Sequence, residues 1–395
     1  MATEKPTRFD EVDWDNVGGS SRFSVSINSL LMFIATAPLA ILYVYDWQYI
    51  GQRENTFKFI GMDWDLSSLD YLFIFTLFLF AFYMVAPLFQ NPRMTKYYWL
   101  EFKRNRPAVI SLIWLGIVFV GGLIGPLFIG APEQDILAGH QPPVFMTVDT
   151  ANVPSCIGEV VDGKCYGTWE YPFGTTQGGK GVFASIVHGM TISMKIGFIA
   201  TMIAVTIATT FGTVSAYAGG LVDEVLMRYV DIQQSWPTLV MYLLIIYIYG
   251  GGLGLFILLF GLFSWGGMAR YVRSKALSVS EEEYIKAARV SGASKYRVVR
   301  RHIIPNTASS IITDITLLIP AFLLAEAQLA FLGLGDPEIP SWGQLISAGR
   351  SDLAFAPWIV LVPGIVLFQT ILAFNFLGDA LLDALNPEAE AEADR

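Results

Sequence analysis

The sequence predicts an all-α integral membrane protein with about eight transmembrane helices. Of its 395 residues, 54% are hydrophobic and only 15% are charged, against about 45–50% and about 25% in soluble domains. The mean hydropathy is +0.51. The apolar residues fall in runs of about 20, the length that a helix needs to cross a bilayer. Composition alone therefore places the chain in a membrane.

Eight runs of this kind follow one another along the chain. The fourth is less apolar than the others and contains Lys195. The fifth contains Pro237, which membrane helices tolerate as a kink. The predicted spans are 26–48, 68–90, 108–130, 186–215, 229–249, 255–272, 309–333 and 357–377.

The distribution of Lys and Arg predicts the orientation of these spans. The first 25 residues lack the features of a cleavable signal peptide, so the first span is expected to be an uncleaved anchor. With the N-terminus inside, inner segments contain 19 of the 25 basic residues and outer loops contain five, and Lys195 is the remaining one. Basic residues favour the cytoplasmic side. We therefore expect a multi-pass protein of the cell membrane with both termini in the cytoplasm.

The predicted outer loop 131–185 contains the only two cysteines, Cys156 and Cys165. Between them, Asp162-Gly163 is typical of a tight hairpin turn. On an oxidising face the pair would close this hairpin as a disulfide, and on a reducing face they would be two separate thiols. Two Cys and three His provide no apparent zinc ligand set, and a net charge of −9 argues against nucleic acid as a partner.

The same loop contains a near-match to a phosphate-binding loop, GTTQGGKG at residues 174–181. That motif needs a Ser or Thr hydroxyl for Mg²⁺ after its Lys, and a strand before the loop. Gly181 supplies no hydroxyl. In an outer loop the stretch would also meet no ATP, so we predict that it binds no nucleotide.

The densest basic segment, residues 270–305, has nine Lys and Arg residues and lies on the predicted inner side. Ser280 before three glutamates predicts a helix start, because the hydroxyl caps amides and the carboxylates favour the positive dipole end. Gly292 is expected to end this helix, and Pro305 to end a second one that starts at Ser294. The two helices predict either a docking lobe for another protein or a pair packed on the chain's own spans. On the first helix, one face is expected to carry Tyr284, Ala287, Ala288 and Ser291. On the second, one face is expected to carry Tyr296, Val299 and Ile303.

This segment resembles a known family. EYIKAARVSGASKYRVVRRHIIPN is similar to the EAA loop of ABC-transporter permeases, and the wider pattern resembles the C-type permease subunit of dipeptide, oligopeptide and nickel importers. FLGLGDPEIPSWGQLI at 331–346 matches that family's FLGLG…PSWG signature, and NFLGDALLDALNP at 375–387 resembles its tail. YAGGLVDEVLMRYVDIQQSWP at 217–237 matches the stretch after its second core span. The resemblance covers roughly residues 108–387.

The resemblance implies a non-catalytic transport subunit that binds no cofactor. It implies four partners besides the lipid bilayer: a second permease, two ATPase subunits that bind ATP and Mg²⁺, and an extracytoplasmic substrate-binding protein. The family's cargo is a dipeptide, an oligopeptide or a related solute, and its EAA loop docks in a cleft of the ATPase. Carried over to this chain, the coupling residues are Glu283, Tyr284, Lys286, Ala287, Ala288, Gly292, Ala293 and Pro305.

Some positions depart from the family pattern. Lys286 replaces the Glu of EAA, which reverses a charge at the expected docking surface, and Leu382 and Asn386 replace an Arg and an Asp of the tail. Residues 174–189 have lost both Asp of the family's outer motif, so the phosphate-loop lookalike is a drifted family motif.

Two carboxylates, Asp314 and Glu326, lie in the seventh predicted span. Twelve helical residues separate them by about 18 Å. Carboxylates at membrane depth face the protein interior or a wet path. They leave one alternative function open, an ion-coupled secondary carrier with a proton relay. Glu326 matches the family's Glu before FLGLG, which favours a structural or gating role.

These observations divide the chain into five segments. A cytoplasmic segment, 1–25, precedes an extra transmembrane hairpin with a basic loop, 26–107. The first span of a six-span core and a large outer loop occupy 108–185. The permease core with its coupling loop at 273–306 occupies 186–380, and an acidic tail occupies 381–395.

Overall fold

The fold is α-helical, as predicted. The computed structural model describes residues 26–50, 55–57 and 65–385. Seven of the described helices are long and apolar enough to cross a membrane, and an eighth apolar helix is shorter. The chain divides into two compact units, one ending at Asn91 and the other beginning at Pro92. The predicted segment 1–25 and the end of the tail from residue 386 lie outside the described residues.

The first unit is a helical hairpin. Helix α1 (Ile27–Tyr45) continues through a π-turn (Asp46–Ile50). Helix α2 (Ser68–Phe80) continues through a second π-turn (Ala81–Val85) into α3 (Ala86–Gln90). The Tyr71 hydroxyl donates to the Asp46 carboxylate at 3.2 Å, which ties the two arms together.

The second unit holds the remaining helices. Its longest continuous run, Val182–Ala218, is interrupted only by a π-turn (Ile196–Ala200). The helices are α4 (Pro92–Phe102), α5 (Arg106–Phe128), α6 (Val182–Lys195), α7 (Thr201–Ala218), α8 (Gly220–Ser235), α9 (Thr238–Tyr249), α10 (Leu253–Phe263), α11 (Gly266–Ser280), α12 (Glu283–Val290), α13 (Lys295–Val298), α14 (Ile304–Phe331), α15 (Trp342–Gly349) and α16 (Trp358–Leu385).

The fifth predicted span, 229–249, is wrong as a single helix. Pro237 does not kink it but breaks it, because a proline pushes the residue before it out of helical geometry. Trp236 is extended, with ψ of 138°. Helix α8 therefore ends at Ser235, and the apolar α9 has only 12 residues, about 18 Å at 1.5 Å per residue.

A small strand-bearing module, residues 131–181, connects α5 to α6. Its strands β1 (Thr147–Asp149), β2 (Val160–Val161) and β3 (Lys164–Tyr166) form an antiparallel sheet in the order β1-β3-β2. The predicted turn at Asp162-Gly163 is confirmed, since both residues have positive φ. Cys156 and Cys165 form a disulfide beside this hairpin.

Candidate functional site

The most distinctive surface feature is a lobe between α11 and α14, formed by residues 281–303 and called here the basic lobe. The predicted start of its first helix is wrong. Ser280 ends α11, and its hydroxyl donates to the Leu277 carbonyl at 2.9 Å. Glu282 occupies the N-cap position of α12 with an extended backbone, and Glu283 is the first helical residue. Acidic residues still lie at the positive end of the dipole, which favours them there.

A fully buried cluster attaches the basic lobe to the helices beside it. Ile285 of α12, Val298 of α13 and Ile303 are completely inaccessible to solvent. They pack against Ala276 of α11 and Ala216 of α7. Burying such aliphatic side chains contributes about 1.5–3 kcal/mol each. The lobe is therefore a rigid extension of α7 and α11 rather than a loose loop.

The reversal between α12 and α13 occurs at Gly292. Its φ is +79°, a left-handed conformation that side chains other than Asn or Asp strain to adopt. At this reversal, the Gly292 amide donates to the Arg289 carbonyl, and the Ala293 amide donates to the Ala288 carbonyl at 3.1 Å. The expectation that Gly292 ends the first helix is confirmed.

The exposed face of the lobe is mixed in chemistry. Tyr284 is 43% exposed, Tyr296 71% and Val290 89%, and the last was not singled out from the sequence. Glu283, Lys286, Ala287, Ser291 and Gly292 are exposed, while Ala288 and Ala293 are half-buried. The expectation that Tyr296, Val299 and Ile303 share one face of the second helix is wrong, because Ile303 is buried whereas Tyr296 is exposed. Large apolar side chains beside small ones form a surface that another protein can approach closely.

The expectation that Pro305 ends the second helix is also wrong. The chain passes from α13 through a π-turn (Val299–Ile303) directly into α14, with Pro305 in the first turn. The π-turn ends with the Ile304 amide donating to the Val299 carbonyl, so Pro305 lies where the hydrogen bonding changes from the π to the α pattern. The basic lobe is thus continuous with a helix long enough to cross a membrane.

Ion pairs join α8 to α11, one of the helices against which the lobe packs. The Arg273 side chain on α11 donates to Asp223 on α8 through Nε at 2.6 Å and through a second nitrogen. The Ser215 hydroxyl of α7 also donates to Asp223. The bonds from Arg273 lower the pKa of Asp223, burial raises it, and the Ser215 bond lowers it further. A second pair, Arg270 with Asp231, is about half exposed.

A second cluster lies at the far end of α14. Glu326 is 7% exposed, and its Oε1 accepts a hydrogen bond from the Ser341 hydroxyl at 2.6 Å. Ser341 also caps α15 by accepting from the Gln344 amide at 3.1 Å. The neighbouring Trp342 is 1% exposed and donates to the Ile186 carbonyl of α6 at 3.1 Å. The PSWG stretch therefore fastens α15 to both α14 and α6.

Gly343 completes this cluster. A Cβ at this position would lie 2.5 Å from the Cα of Ala327 and 3.1 Å from a Glu326 carboxylate oxygen. Only glycine allows α15 to approach α14 so closely. Asp314 lies on the same helix as Glu326 but is half-buried near its other end.

The stretch at residues 174–181 is not built as a phosphate loop. No strand leads directly into it, since β3 ends at Tyr166, and Thr175 pairs with Gly181 across it. A Cβ at Gly179 would collide with the Asp135 carbonyl, so the loop lies against protein backbone. The Thr175 carbonyl accepts from the Trp358 indole at 3.2 Å. Within the described ranges, no group of three or more His, Cys, Asp or Glu side chains could hold a metal ion.

A buried polar contact attaches the strand-bearing module to the segment between α15 and α16. The His140 ring lies 2.9 Å from a carboxylate oxygen of Asp352, and both side chains are about nine-tenths buried. Sequence reasoning missed this pair, because 212 residues separate its members.

Two family models and several known proteins are similar to this chain. Residues 182–390 match the family described as binding-protein-dependent transport system inner membrane component. Residues 93–143 match the N-terminal transmembrane domain of oligopeptide transport permease C. The chain is 32% identical to the oligopeptide transport system permease protein OppC of Haemophilus influenzae, over 73% of this chain and 86% of that one.

Two further relatives agree. The dipeptide transport system permease protein DppC of Bacillus subtilis is 33% identical, over 73% of this chain and 84% of its own length. OppC of Escherichia coli K12 is 35% identical, over 73% and 89%. These similarities do not support the ion-coupled carrier that Asp314 and Glu326 left open. The chain belongs to the binding-protein-dependent transport system inner membrane components, as an ABC transport permease of the C type found in oligopeptide and dipeptide systems.

Proposed function

We propose that this chain is a permease subunit of an ATP-driven importer and transmits ATP hydrolysis to the membrane through its basic lobe. The observation that carries the proposal is the continuity of the lobe with α14. A partner that moves the lobe would move α14 with it, because the lobe runs directly into that membrane helix. It would also move α7 and α11, because the Ile285 cluster packs the lobe against both.

The lobe would dock in a cleft of a separate ATPase subunit, which binds ATP and Mg²⁺. Tyr284, Val290 and Tyr296 supply exposed apolar and aromatic surface, the kind that anchors protein interfaces. Ala287 leaves room for close approach. Lys286 would meet an acidic group of that ATPase, since an unpaired charge at an interface centre costs affinity. The remaining coupling residues are Glu283, Ala288, Gly292, Ala293 and Pro305.

The orientation follows from the positive-inside bias. The basic lobe and both termini would lie in the cytoplasm, and the strand-bearing module would lie outside, where a disulfide between Cys156 and Cys165 is chemically stable. The module is then available to an extracytoplasmic substrate-binding protein. A second permease subunit and two ATPase subunits would complete the complex.

Peptides are the proposed cargo. The three relatives described above are named as oligopeptide or dipeptide permeases, and the similarity to each covers most of both chains. The chain itself would bind no cofactor, and its role would be to form half of the translocation path.

The proposal is tested by isolating the complex from native membranes through an affinity tag on this chain. We expect a second permease chain and ATPase chains to co-purify, and the reconstituted complex to import peptide only with ATP. A lone protein, under detergent conditions in which other ABC complexes from the same membranes stay intact, would contradict the proposal.

A further inference from the structure

Helix α4 (Pro92–Phe102) adjoins a membrane span without being one. Residues 103–105 alone separate it from Arg106, where the long apolar α5 begins. Its 11 residues measure about 16 Å along the axis, about half of the hydrocarbon thickness. The helix therefore lies at the membrane surface, at the end of α5 that the proposed orientation places in the cytoplasm.

One face of α4 holds this helix against the membrane helices. Phe102 is 6% exposed and packs with Ala108 of α5 and Ala380 of α16 in one buried cluster. Thr95 and Tyr98 are half-buried and lie on the same face, since they precede Phe102 by seven and four residues. The position of α4 is therefore fixed to the start of α5 and to the end of α16.

The opposite face of α4 is exposed and mixes basic with apolar side chains. Its members recur every three or four residues, the spacing of one helix face. Tyr97 is 43% exposed and Leu100 is 42% exposed. The exposed face, extended by the two residues after the helix, consists of Arg93, Lys96, Tyr97, Leu100, Lys103 and Arg104.

The charge around this face has one sign. Residues 91–107 contain five Lys and Arg residues and one acidic residue, in a chain whose net charge is −9. The one carboxylate, on Glu101, pairs with Arg104 at 2.5 Å. The other basic side chains of the face make no ion pair with any residue in the described ranges. They are therefore available to an anion outside this part of the chain.

The location and the chemistry of the face fit an anionic lipid surface. Clusters of about four or more Lys and Arg residues beside the cytoplasmic end of a membrane helix attract anionic lipid. Exposed apolar side chains among such cations suit the boundary between headgroups and acyl chains. The basic lobe differs, because Glu281, Glu282 and Glu283 are exposed among its cations. Of these two basic surfaces, only the face of α4 combines a single sign of charge with a position at the membrane surface.

We propose that the exposed face of α4 binds the headgroups of anionic phospholipids and thereby ties the ends of α5 and α16 to the bilayer surface. Arg93, Lys96 and Lys103 contact the lipid phosphates. Tyr97 and Leu100 insert beside them at the level of the glycerol groups. The inference goes beyond the proposed importer function, because the lipid contact requires neither ATP nor peptide.

Fluorescence quenching by nitroxide-labelled lipid tests the inference. Both native cysteines are consumed in the disulfide, so Leu100→Cys supplies one thiol for a fluorophore in the middle of the face. The labelled full chain is reconstituted in vesicles of equal parts phosphatidylglycerol and phosphatidylcholine, with the nitroxide near the headgroup of one lipid or the other. We expect phosphatidylglycerol to be preferred about fivefold or more, the factor that one basic residue near the surface provides. The preference should vanish at about 1 M salt, where the Debye length is about 3 Å.

Three double variants in the same labelled background identify the residues responsible. Arg93→Gln with Lys96→Gln should abolish most of the preference for phosphatidylglycerol. Arg93→Lys with Lys96→Arg conserves the charge and should keep the preference, which separates loss of charge from misfolding. Arg228→Gln with Lys275→Gln removes two exposed basic residues of α8 and α11 and is the matched control, expected to keep the preference.

Three outcomes would overturn the inference. Equal quenching by the two labelled lipids would mean that the face does not recognise headgroup charge. A preference that survives Arg93→Gln with Lys96→Gln would place the lipid contact elsewhere. Quenching by neither lipid would mean that protein covers the face, and recovery of quenching on deletion of residues 386–395, which contain four acidic residues, would identify the cover as the chain's own tail. ATP-dependent import is measured separately, so a failure of the importer function is distinguished from a failure of lipid binding.

Discussion

Asp223 on α8 accepts two hydrogen bonds from the Arg273 guanidinium on α11, with Arg273 Nε 2.6 Å from Asp223 Oδ1. The carboxylate also accepts from the Ser215 hydroxyl of α7. One side chain thus joins α8 to α7 and α11, the two helices against which the basic lobe packs. Paired guanidinium–carboxylate bonds fix both distance and angle, so this contact fixes the position of α8 relative to α11, which packs against the lobe.

The brace predicts a stability loss on Asp223→Asn. Removing the charge leaves Arg273 with a weaker partner, and we expect about 1–2 kcal/mol of destabilisation, measured by thermal unfolding of the purified complex. Asp231→Asn is the control, since its pair with Arg270 is about half exposed and such pairs contribute about 0–1 kcal/mol. Equal effects of the two substitutions would count against a special role for Asp223.

The same contact predicts a pH dependence. Because Arg273 holds the pKa of Asp223 below its ordinary value, the stabilisation is fully present above the unfolded pKa of about 3.9. It is lost as the pH falls through the lower, folded pKa. The melting-temperature difference between wild type and Asp223→Asn should therefore shrink on acidification. A difference that stays constant down to the acid-unfolding limit would mean that the carboxylate is not held ionised by Arg273.

Gly292 is expected to be essential for coupling. Gly292→Val places a β-branched side chain at a φ of +79°, which costs about 1–3 kcal/mol of strain and is relieved by reorienting α12. We expect ATPase activity to persist while peptide import falls about tenfold or more, because the docking face is displaced. Gly292→Asn is the control, since Asn tolerates this conformation. Normal import in Gly292→Val would refute the coupling role.

The Glu326–Ser341 contact predicts a different pattern. Ser341→Ala removes both a helix cap and the donor to a buried carboxylate, so we expect about 2–4 kcal/mol of destabilisation. Glu326→Gln keeps an acceptor for the hydroxyl and should cost less. Denaturation of the two variants, with the exposed Asp379→Asn as reference, checks the order. If Ser341→Ala were as stable as Asp379→Asn, the hydrogen bond would not contribute to the stability of the fold.

The disulfide leads to two predictions, one about the stability of the strand-bearing module and one about the side of the membrane on which the module lies. Its loop spans nine residues in sequence separation, for which loop closure gives about 2–3 kcal/mol. Reduction should therefore loosen the strand-bearing module. In right-side-out vesicles, a membrane-impermeant reductant should expose two thiols to an impermeant label. Labelling only after the vesicles are opened would place the module on the cytoplasmic side and reverse the proposed orientation.

The sequence predicted the spanning helices well because their signal is local: a run of apolar residues is visible without knowledge of its neighbours. Seven spans are long helices close to the predicted positions. The break at Pro237 was missed, since hydropathy measures composition and cannot distinguish a kinked helix from two helices. The strands were missed because two or three residues each leave no periodic pattern to detect.

The basic lobe shows where local rules reach their limit. Gly292 was predicted correctly, because a left-handed turn residue has a signature of its own. Ser280 and Pro305 were misassigned, because each residue suits two helical positions and only packing decides between them. The burial of Ile285 and Ile303 depends on Ala216 of α7, which lies 69 and 87 positions earlier in the chain, farther than a sequence window reaches. The contact between Glu326 and Ser341 spans only 15 positions, but it depends on the turn between α14 and α15, which helical periodicity does not predict.

The basic lobe is proposed to dock on an ATPase subunit. The most direct test of this docking is site-specific photo-cross-linking in native membranes from position 290, where the Val290 side chain is 89% exposed, with position 145 of the strand-bearing module, where Phe145 is 88% exposed, as the matched control. We expect position 290 to cross-link to an ATPase chain and position 145 not to. An ATPase that co-purifies with the complex but is never captured from position 290, or is captured equally from position 145, would contradict the account.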